Sequence, residues 1–567
     1  MAIIHTSCVR PSTSPSPVLR IEDLSVRAAH GHGHGTGPVT VLDGIGFDVH
    51  AGETVCIVGE SGSGKSVTSL SVMGLLPKGA LAATAGRILV EGEDVLQARP
   101  RRLRELRATR MSMVFQEPMT ALNPVQTVGE QIDEVVRLHS GLGRAARREK
   151  VLAMLDSVHL PDVRRIFDSY PHQLSGGQRQ RIVIAMALIL QPRLLIADEP
   201  TTALDVTTQR QILLLMRELQ HKHGTAILFI THDFGVVSEI ADRIVVMNRG
   251  NVVEVGSRDD ILARPQAAYT RMLISSVPSL VPRAARQRGV DVVLEVAGLD
   301  KRYTEHRLFG PDRVVAAASD VNLSLAKGEI LGVVGESGSG KSTVARCVVR
   351  LIEPTAGEIR LKGRDIARVR RGALRPVRKH IQIVFQDPYR SLNPRRRVGE
   401  SIIEGLLNNG MARETALARA RELLVLVGLP PDAMNRYPHQ FSGGQRQRIC
   451  IARALALEPD ILVADEAVSA LDVSVQAQVL TLLEEIRERT GVAVLFITHD
   501  LRVAAQICDT IVVMKKGRIV ESGPAATVLT NPREAYTREL IEAAPGRDWD
   551  FQNFCTLVRS APALAVA

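Results

Sequence analysis

Two identical strings, Gly59-Glu60-Ser61-Gly62-Ser63-Gly64-Lys65-Ser66 and Gly335-Glu336-Ser337-Gly338-Ser339-Gly340-Lys341-Ser342, are the residues of this chain best suited to grip a polyphosphate. Each fits G-x-x-x-x-G-K-[ST]. The glycines let backbone N–H groups turn toward phosphate oxygens, the lysine reaches the terminal phosphates, and the serine hydroxyl ligates Mg²⁺. A Gly-rich turn without a ligand would not repeat as an identical octapeptide in 567 residues. Two cradles predict two bound nucleotides.

Such a cradle works only between a strand and a helix, because a helix N-terminus adds about half a positive charge facing the phosphates. The apolar runs Thr54 to Val58 and Ile330 to Val334 predict buried strands before the two strings, and Ser66 to Leu76 and Ser342 to Ile352 predict helices after them. Further motifs repeat in the same order. Gln116 stands in VFQEP and Gln386 in VFQDP; LSGGQ at Leu174 to Gln178 answers FSGGQ at Phe441 to Gln445. Apolar runs end in Asp198-Glu199 and Asp465-Glu466, and FITHD carries His232 and His499. From Ser175 and Ser442 onward every matched residue recurs 267 positions later, through Glu199 and Glu466, His232 and His499, and the AYTR strings at Ala268 and Ala535. Insertions sit upstream, where surface loops tolerate them. One surrounds His30, His32 and His34, which the glycines between them mark as a loop more than a metal site.

The repeat divides the chain into two large halves joined by a Pro/Arg stretch. The boundaries predicted are a leader at 1–17, a first domain at 18–277, a linker at 278–291, a second domain at 292–546 and a tail at 547–567. Within each half, Gly129 to Leu160 and Gly399 to Leu429 read as helix-rich inserts, and Arg243 to Gly256 and Thr510 to Gly523 as paired strands.

Composition bounds the rest. Hydrophobic residues make up 45% of the chain and the mean hydropathy is +0.05. The longest apolar run, Ile182 to Leu190, is half of what a bilayer span needs. Met1 to Pro17 is Ser/Pro-rich without an apolar core, which predicts a disordered leader and not a signal peptide, and so a cytoplasmic protein. The six cysteines show no C-x-x-C pair, which argues against disulfides or zinc. The net charge of +10 is spread thinly, densest at Arg99 to Arg110 and Arg368 to Lys379. Without interleaved aromatics these patches predict a solvated face, or contact with lipid headgroups or a membrane partner, and no specific nucleic acid.

Taken together, the motifs resemble the ATP-binding-cassette family over nearly the whole chain. The resemblance implies an α/β fold of two tandem P-loop NTPase domains, each with an antiparallel β subdomain and a helical subdomain, binding ATP and Mg²⁺. It implies that Asp198 and Asp465 hold the metal with Ser66, Ser342, Gln116 and Gln386. Glu199 and Glu466 polarise the attacking water, a role worth about 10² to 10⁴ in rate. The two glutamines also sense metal and water, and His232 and His499 contact the γ-phosphate. Ser175, Gly176, Gly177 and Gln178 would cap the ATP held by Lys341, and Ser442, Gly443, Gly444 and Gln445 the ATP held by Lys65. Tyr303 stands where the family stacks an aromatic on adenine, whereas the first half has Ala28, so nucleotide should bind more weakly in the first site. Ala467 for Pro200 and Phe441 for Leu174 remove no catalytic group, and both sites are expected to hydrolyse ATP.

Leu122-Asn123-Pro124, Leu392-Asn393-Pro394 and the AYTR strings resemble the dipeptide and oligopeptide branch of bacterial importers, which also includes nickel and glutathione systems. The resemblance implies a peripheral subunit on the cytoplasmic face of the inner membrane. It would drive peptide uptake with two transmembrane permease subunits and an extracytoplasmic solute-binding protein. Many such subunits carry a Cys-rich tail; here 273–288 has no cysteine and Cys555 stands alone, so no iron–sulfur cluster is expected. An exporter ATPase is a nearer rival that the Leu-Asn-Pro strings oppose. A soluble tandem cassette acting on ribosomes or DNA would need a long helical arm that the short linker cannot hold. Packing against the second half is the expectation for the tail, including Trp549.

Overall fold

A computed structural model describes residues 16–28, 39–116, 121–201, 204–284, 286, 289, 291–305, 313–469 and 471–557. The predicted leader lies almost entirely outside the described residues, and the His30 to His34 loop wholly so. Contacts divide the chain into two units. The first comprises the described residues of 1–203, 212–232 and 240–261; the second comprises those of 204–211, 233–239 and 262–567.

In the first unit a six-stranded sheet runs in the order Asn251–Ser257, Arg243–Asn248, Thr54–Val58, Ala226–Ile230, Leu194–Asp198, Met111–Val114. All but the first pairing are parallel. The strands Thr54–Val58, Ala226–Ile230 and Leu194–Asp198 are buried at every residue, the pattern of a parallel sheet covered on both faces. A four-stranded antiparallel sheet, Thr40–Val49, Leu19–Ala28, Leu81–Val90 and Glu93–Asp94, packs its alternate apolar residues into the same core.

The second unit repeats this plan. Its six strands run Ile381–Val384, Ile461–Asp465, Ala493–Ile497, Ile330–Val334, Thr510–Lys515, Arg518–Pro524. Its antiparallel sheet runs Arg313–Ala326, Val292–Glu305, Ala356–Leu361, Arg364–Asp365. Each unit has helices where the inserts were expected, Val128–His139 and Arg144–Ser157 in the first and Val398–Asn408 and Arg413–Leu426 in the second. Val128, Ile132 and Val136 bury one helical face, as do Val398, Ile402 and Leu406. A reciprocal capping box between Thr127 and Glu130 starts the first of these helices.

Both cradle strands have the predicted bounds. The cradle helices are shorter than predicted, Lys65–Val72 and Lys341–Val348. Their apolar periodicity continues past the point where a left-handed residue, Gly74 or Arg350, turns the chain away. The paired strands predicted near each unit's end are antiparallel hairpins. Each turns through two residues of positive φ, Arg249-Gly250 and Lys516-Gly517, as tight hairpins require. Trp549 pairs with Thr556 in a small hairpin, and Phe551 is fully buried in the second unit.

Candidate active site

Each cradle is the turn between a buried strand and an eight-residue helix. Gly64 and Gly340 cap those helices at the same left-handed φ of 104°. A Cβ on Gly340 would lie 2.2 Å from the Ala317 carbonyl oxygen, so the strand Arg313–Ala326 leaves room only for glycine. The lysines point back over their own loops. Lys65 Nζ donates to the Gly59 and Glu60 carbonyls at 2.8 and 2.9 Å. Lys341 Nζ donates to those of Gly335 and Glu336 at 2.7 and 2.8 Å. Burial pushes the Lys341 pKa down against the pull of Glu466 and Asp465. Two of its three N–H donors are used, which leaves one for an anionic oxygen. The Ser63 and Ser339 hydroxyls are buried in the two loops without a hydrogen-bond partner.

The acids arrive from the neighbouring strand. Ser66 Oγ donates to Asp198 Oδ1 at 3.3 Å and Ser69 Oγ to Asp198 Oδ2 at 3.4 Å. Ser342 Oγ donates to Asp465 Oδ1 at 2.8 Å. Burial lifts both aspartate pKa values, against the hydroxyl hydrogen bonds. A hydroxyl and a carboxylate whose charge burial disfavours form an oxygen donor set suited to a hard cation such as Mg²⁺, and the residues therefore fit the metal.

Immediately after the strands, Glu199 and Glu466 take left-handed φ values of 47° and 50°. Gln116 Nε2 donates to Glu199 Oε2 at 2.9 Å, and His232 Nδ1 lies 3.0 Å from Glu199 Oε1. Gln386 Nε2 donates to Glu466 Oε2 at 2.9 Å, and His499 Nδ1 lies 3.5 Å from the same oxygen. Burial alone would raise the Glu466 pKa and lower that of His499. Their mutual interaction prevails, holding the glutamate below and the histidine above their ordinary values. In both units, then, cradle, Asp, Glu, Gln and His converge.

The signature residues occupy a separate place in each unit. Ser175 caps the helix Gly176–Leu188 and Ser442 the helix Gly443–Leu455; each is reciprocated by Gln178 or Gln445. Both serines are exposed at these N-termini, where backbone N–H groups and the helix dipole favour an anion. Each glutamine accepts from the capping serine's backbone N–H through its Oε1, at 3.0 Å in Gln178 and 3.1 Å in Gln445. Tyr303 is 40% exposed on the strand Val292–Glu305 and pairs with Val315, two residues from the Ala317 that walls Gly340. The Lys301 ammonium sits 5.1 Å from its ring centroid. Ala28 ends the equivalent first-unit strand.

Two contacts to the second cradle escaped sequence reasoning. Glu336 N donates to the Tyr536 hydroxyl at 3.3 Å, and Thr207 Oγ1 lies 2.7 Å from Glu336 Oε1 within the second unit. The tyrosine had a signal in its recurrence in both AYTR strings; Thr207 had none.

The ABC transporter family model matches residues 42–202 and 318–469. A model described as the oligopeptide/dipeptide transporter C-terminal region matches 253–296 and 520–563. The glutathione import ATP-binding protein GsiA of Pectobacterium atrosepticum is 48% identical over 535 residues, 88% of this chain and 86% of that protein. The peptidoglycan transport ATP-binding protein YejF of Agrobacterium fabrum is 45% identical over 544 residues, covering 94% and 97%. Among solved structures, a dimeric ATP-binding cassette in a post-hydrolysis state with ADP and Pi is 28% identical; the match covers 42% of this chain and 98% of that one, with a TM-score of 0.37.

Proposed function

The chain belongs to the ABC transporter family as a tandem-cassette ATPase that couples ATP hydrolysis to transport, and from that premise we propose that its cargo is small peptides taken up across the inner membrane. The observation that carries this reading is the twice-matched oligopeptide/dipeptide C-terminal region. Relatives named for glutathione, itself a tripeptide, and for peptidoglycan, which is peptide-bearing, support the same cargo class.

In this reading the domains follow the boundaries read from the repeat, and the subunit lies peripherally at the cytoplasmic side. Two permease subunits carry the path and an external binding protein delivers cargo. No helix among the described residues is long and apolar enough to cross a membrane.

Each lysine, held at its cradle by two carbonyls, reaches the terminal phosphates. Ser66 and Asp198, or Ser342 and Asp465, would hold Mg²⁺, which would supply charge neutralisation on those phosphates. Glu199 and Glu466 accept a proton from the attacking water. Gln116 and Gln386 fix the carboxylate; His232 holds the other oxygen of Glu199, and His499 lies beside the Glu466 oxygen that Gln386 holds, until the γ-phosphate draws them off. The signature of each half caps the nucleotide of the other, making two composite sites in one polypeptide. Fusion raises their effective concentration.

Uptake of labelled dipeptides, tripeptides and glutathione by a strain lacking this chain tests the proposal. Loss of uptake, restored by the parent gene and not by Glu199→Gln/Glu466→Gln, is expected. Unchanged uptake of all three cargoes would reject peptide import.

A further inference from the structure

Three residues after the FITHD histidine the second half has Arg502 where the first has Gly235. Arg502 is buried and grips two carboxylates at once. Nη1 and Nη2 donate to Asp233 Oδ1 and Oδ2 at 2.9 and 3.1 Å, while Nε and Nη2 donate to Asp500 Oδ1 and Oδ2 at 3.1 and 2.9 Å. Those aspartates directly follow His232 and His499 in sequence. All three residues lie in the second unit, with which the segment Asp233–Glu239 packs. Burial works against the guanidinium charge, and the two carboxylates more than offset it. A planar fork with five donors suits this double bidentate grip, which an ammonium could not reproduce.

Space permits only one such arginine. A Cβ on Gly235 would fall 2.1 Å from Arg502 Nη1 and 2.6 Å from the Pro545 carbonyl oxygen. The end of the chain is tied to the same cluster. Nη1 donates to Pro545 O at 3.2 Å, and Gly546 N donates to Glu239 Oε1 at 3.3 Å.

We infer that Arg502 is a positioning residue that ties the turn following His499 to Asp233 through one guanidinium, so that His499 is held in place for turnover. This rests on the switch role proposed for the histidines. It also assigns the segment at Pro545–Gly546 a place in the joint.

Steady-state ATP turnover of the full chain tests it with Arg502→Met, Arg502→Lys, Asp233→Asn and the Met/Asn double variant. Arg502→Met is expected to lower kcat roughly tenfold with KM changed less than about twofold, and Arg502→Lys to recover part of the rate. Asp233→Asn keeps shape and volume, and decides the matter if the methionine variant does not fold. The double variant is expected to be no slower than the slower single, because both act through one link. Parental kcat in Arg502→Met, or in Asp233→Asn where that variant decides, or losses that multiply in the double variant, would overturn the joint. His499→Ala separates the two readings. If that protein is slowed while Arg502→Met is not, the joint alone fails; if His499→Ala also turns over normally, the switch role fails with it.

Discussion

Replacing the helix-capping glycines by alanine probes whether backbone geometry, and not composition, holds each cradle in its phosphate-binding shape. Gly64 and Gly340 share a φ of 104°, where an L-residue costs about 1–3 kcal/mol of strain. They differ in what a Cβ would strike. At Gly64 the nearest atom is Leu42 Cδ2 at 2.5 Å, the far end of a side chain; at Gly340 it is the Ala317 carbonyl oxygen at 2.2 Å. Displacing a leucine rotamer adds about 0.5–1.5 kcal/mol. Shifting a strand carbonyl adds an overpacking cost of about 1–3 kcal/mol. The totals are about 1.5–4.5 kcal/mol at Gly64 and about 2–6 kcal/mol at Gly340. Because the strain is relieved when the loop abandons its cradle form, it is felt as lost affinity. At 1.4 kcal/mol per tenfold, Gly64→Ala should weaken its own site at least roughly tenfold and Gly340→Ala at least roughly thirtyfold. Titration of a fluorescent ATP analogue reads each site when the other lysine is alanine: Gly340→Ala on Lys65→Ala, and Gly64→Ala on Lys341→Ala. Binding within about twofold of the matching single-lysine variant, or greater damage at Gly64, would refute the steric reasoning.

Other perturbations address the chemistry and the fold. Glu199→Gln with Glu466→Gln should slow hydrolysis by about 10²- to 10⁴-fold while ATP binding persists, and full phosphate release by that protein would remove the glutamates from catalysis. Tyr536→Phe takes the acceptor from Glu336 N, costing about 1 kcal/mol or roughly fivefold in second-site affinity with the first site unchanged; equal affinities in parent and variant would show the contact to be idle. Glu239 is lifted above its ordinary pKa of 4.5 by burial, which outweighs its hydrogen bond from Gly546 N. A raised carboxyl destabilises the fold only where it is forced to ionise. The penalty is therefore absent below pH 4.5 and grows as pH rises toward the folded-state pKa. Glu239→Gln should thus raise the melting temperature by about 2 °C at alkaline pH and by less at pH 5; an advantage largest in acid would reverse the assigned sign.

Local chemistry was legible without coordinates. A phosphate cradle is eight contiguous residues whose backbone does the binding, so its composition carries its shape. The acids ending buried strands and the histidine after the next strand are likewise set by position within one element, and the repeat doubles each signal. Helix ends were less legible. Apolar periodicity runs through Gly74 and past Val348, while a single left-handed residue ends each helix.

Contacts between distant segments were settled only by folding. Aligning the halves pairs Arg502 with Gly235 and makes the difference look like ordinary surface drift. In space the arginine needs the very volume that the glycine vacates. Tyr536 reaches Glu336 across 200 residues, and Thr207 reaches the same glutamate across 129. A motif encodes what neighbouring residues do for one another. A buried cation shared by two acids depends on which chain segments meet, and that is decided by the packing of the whole core.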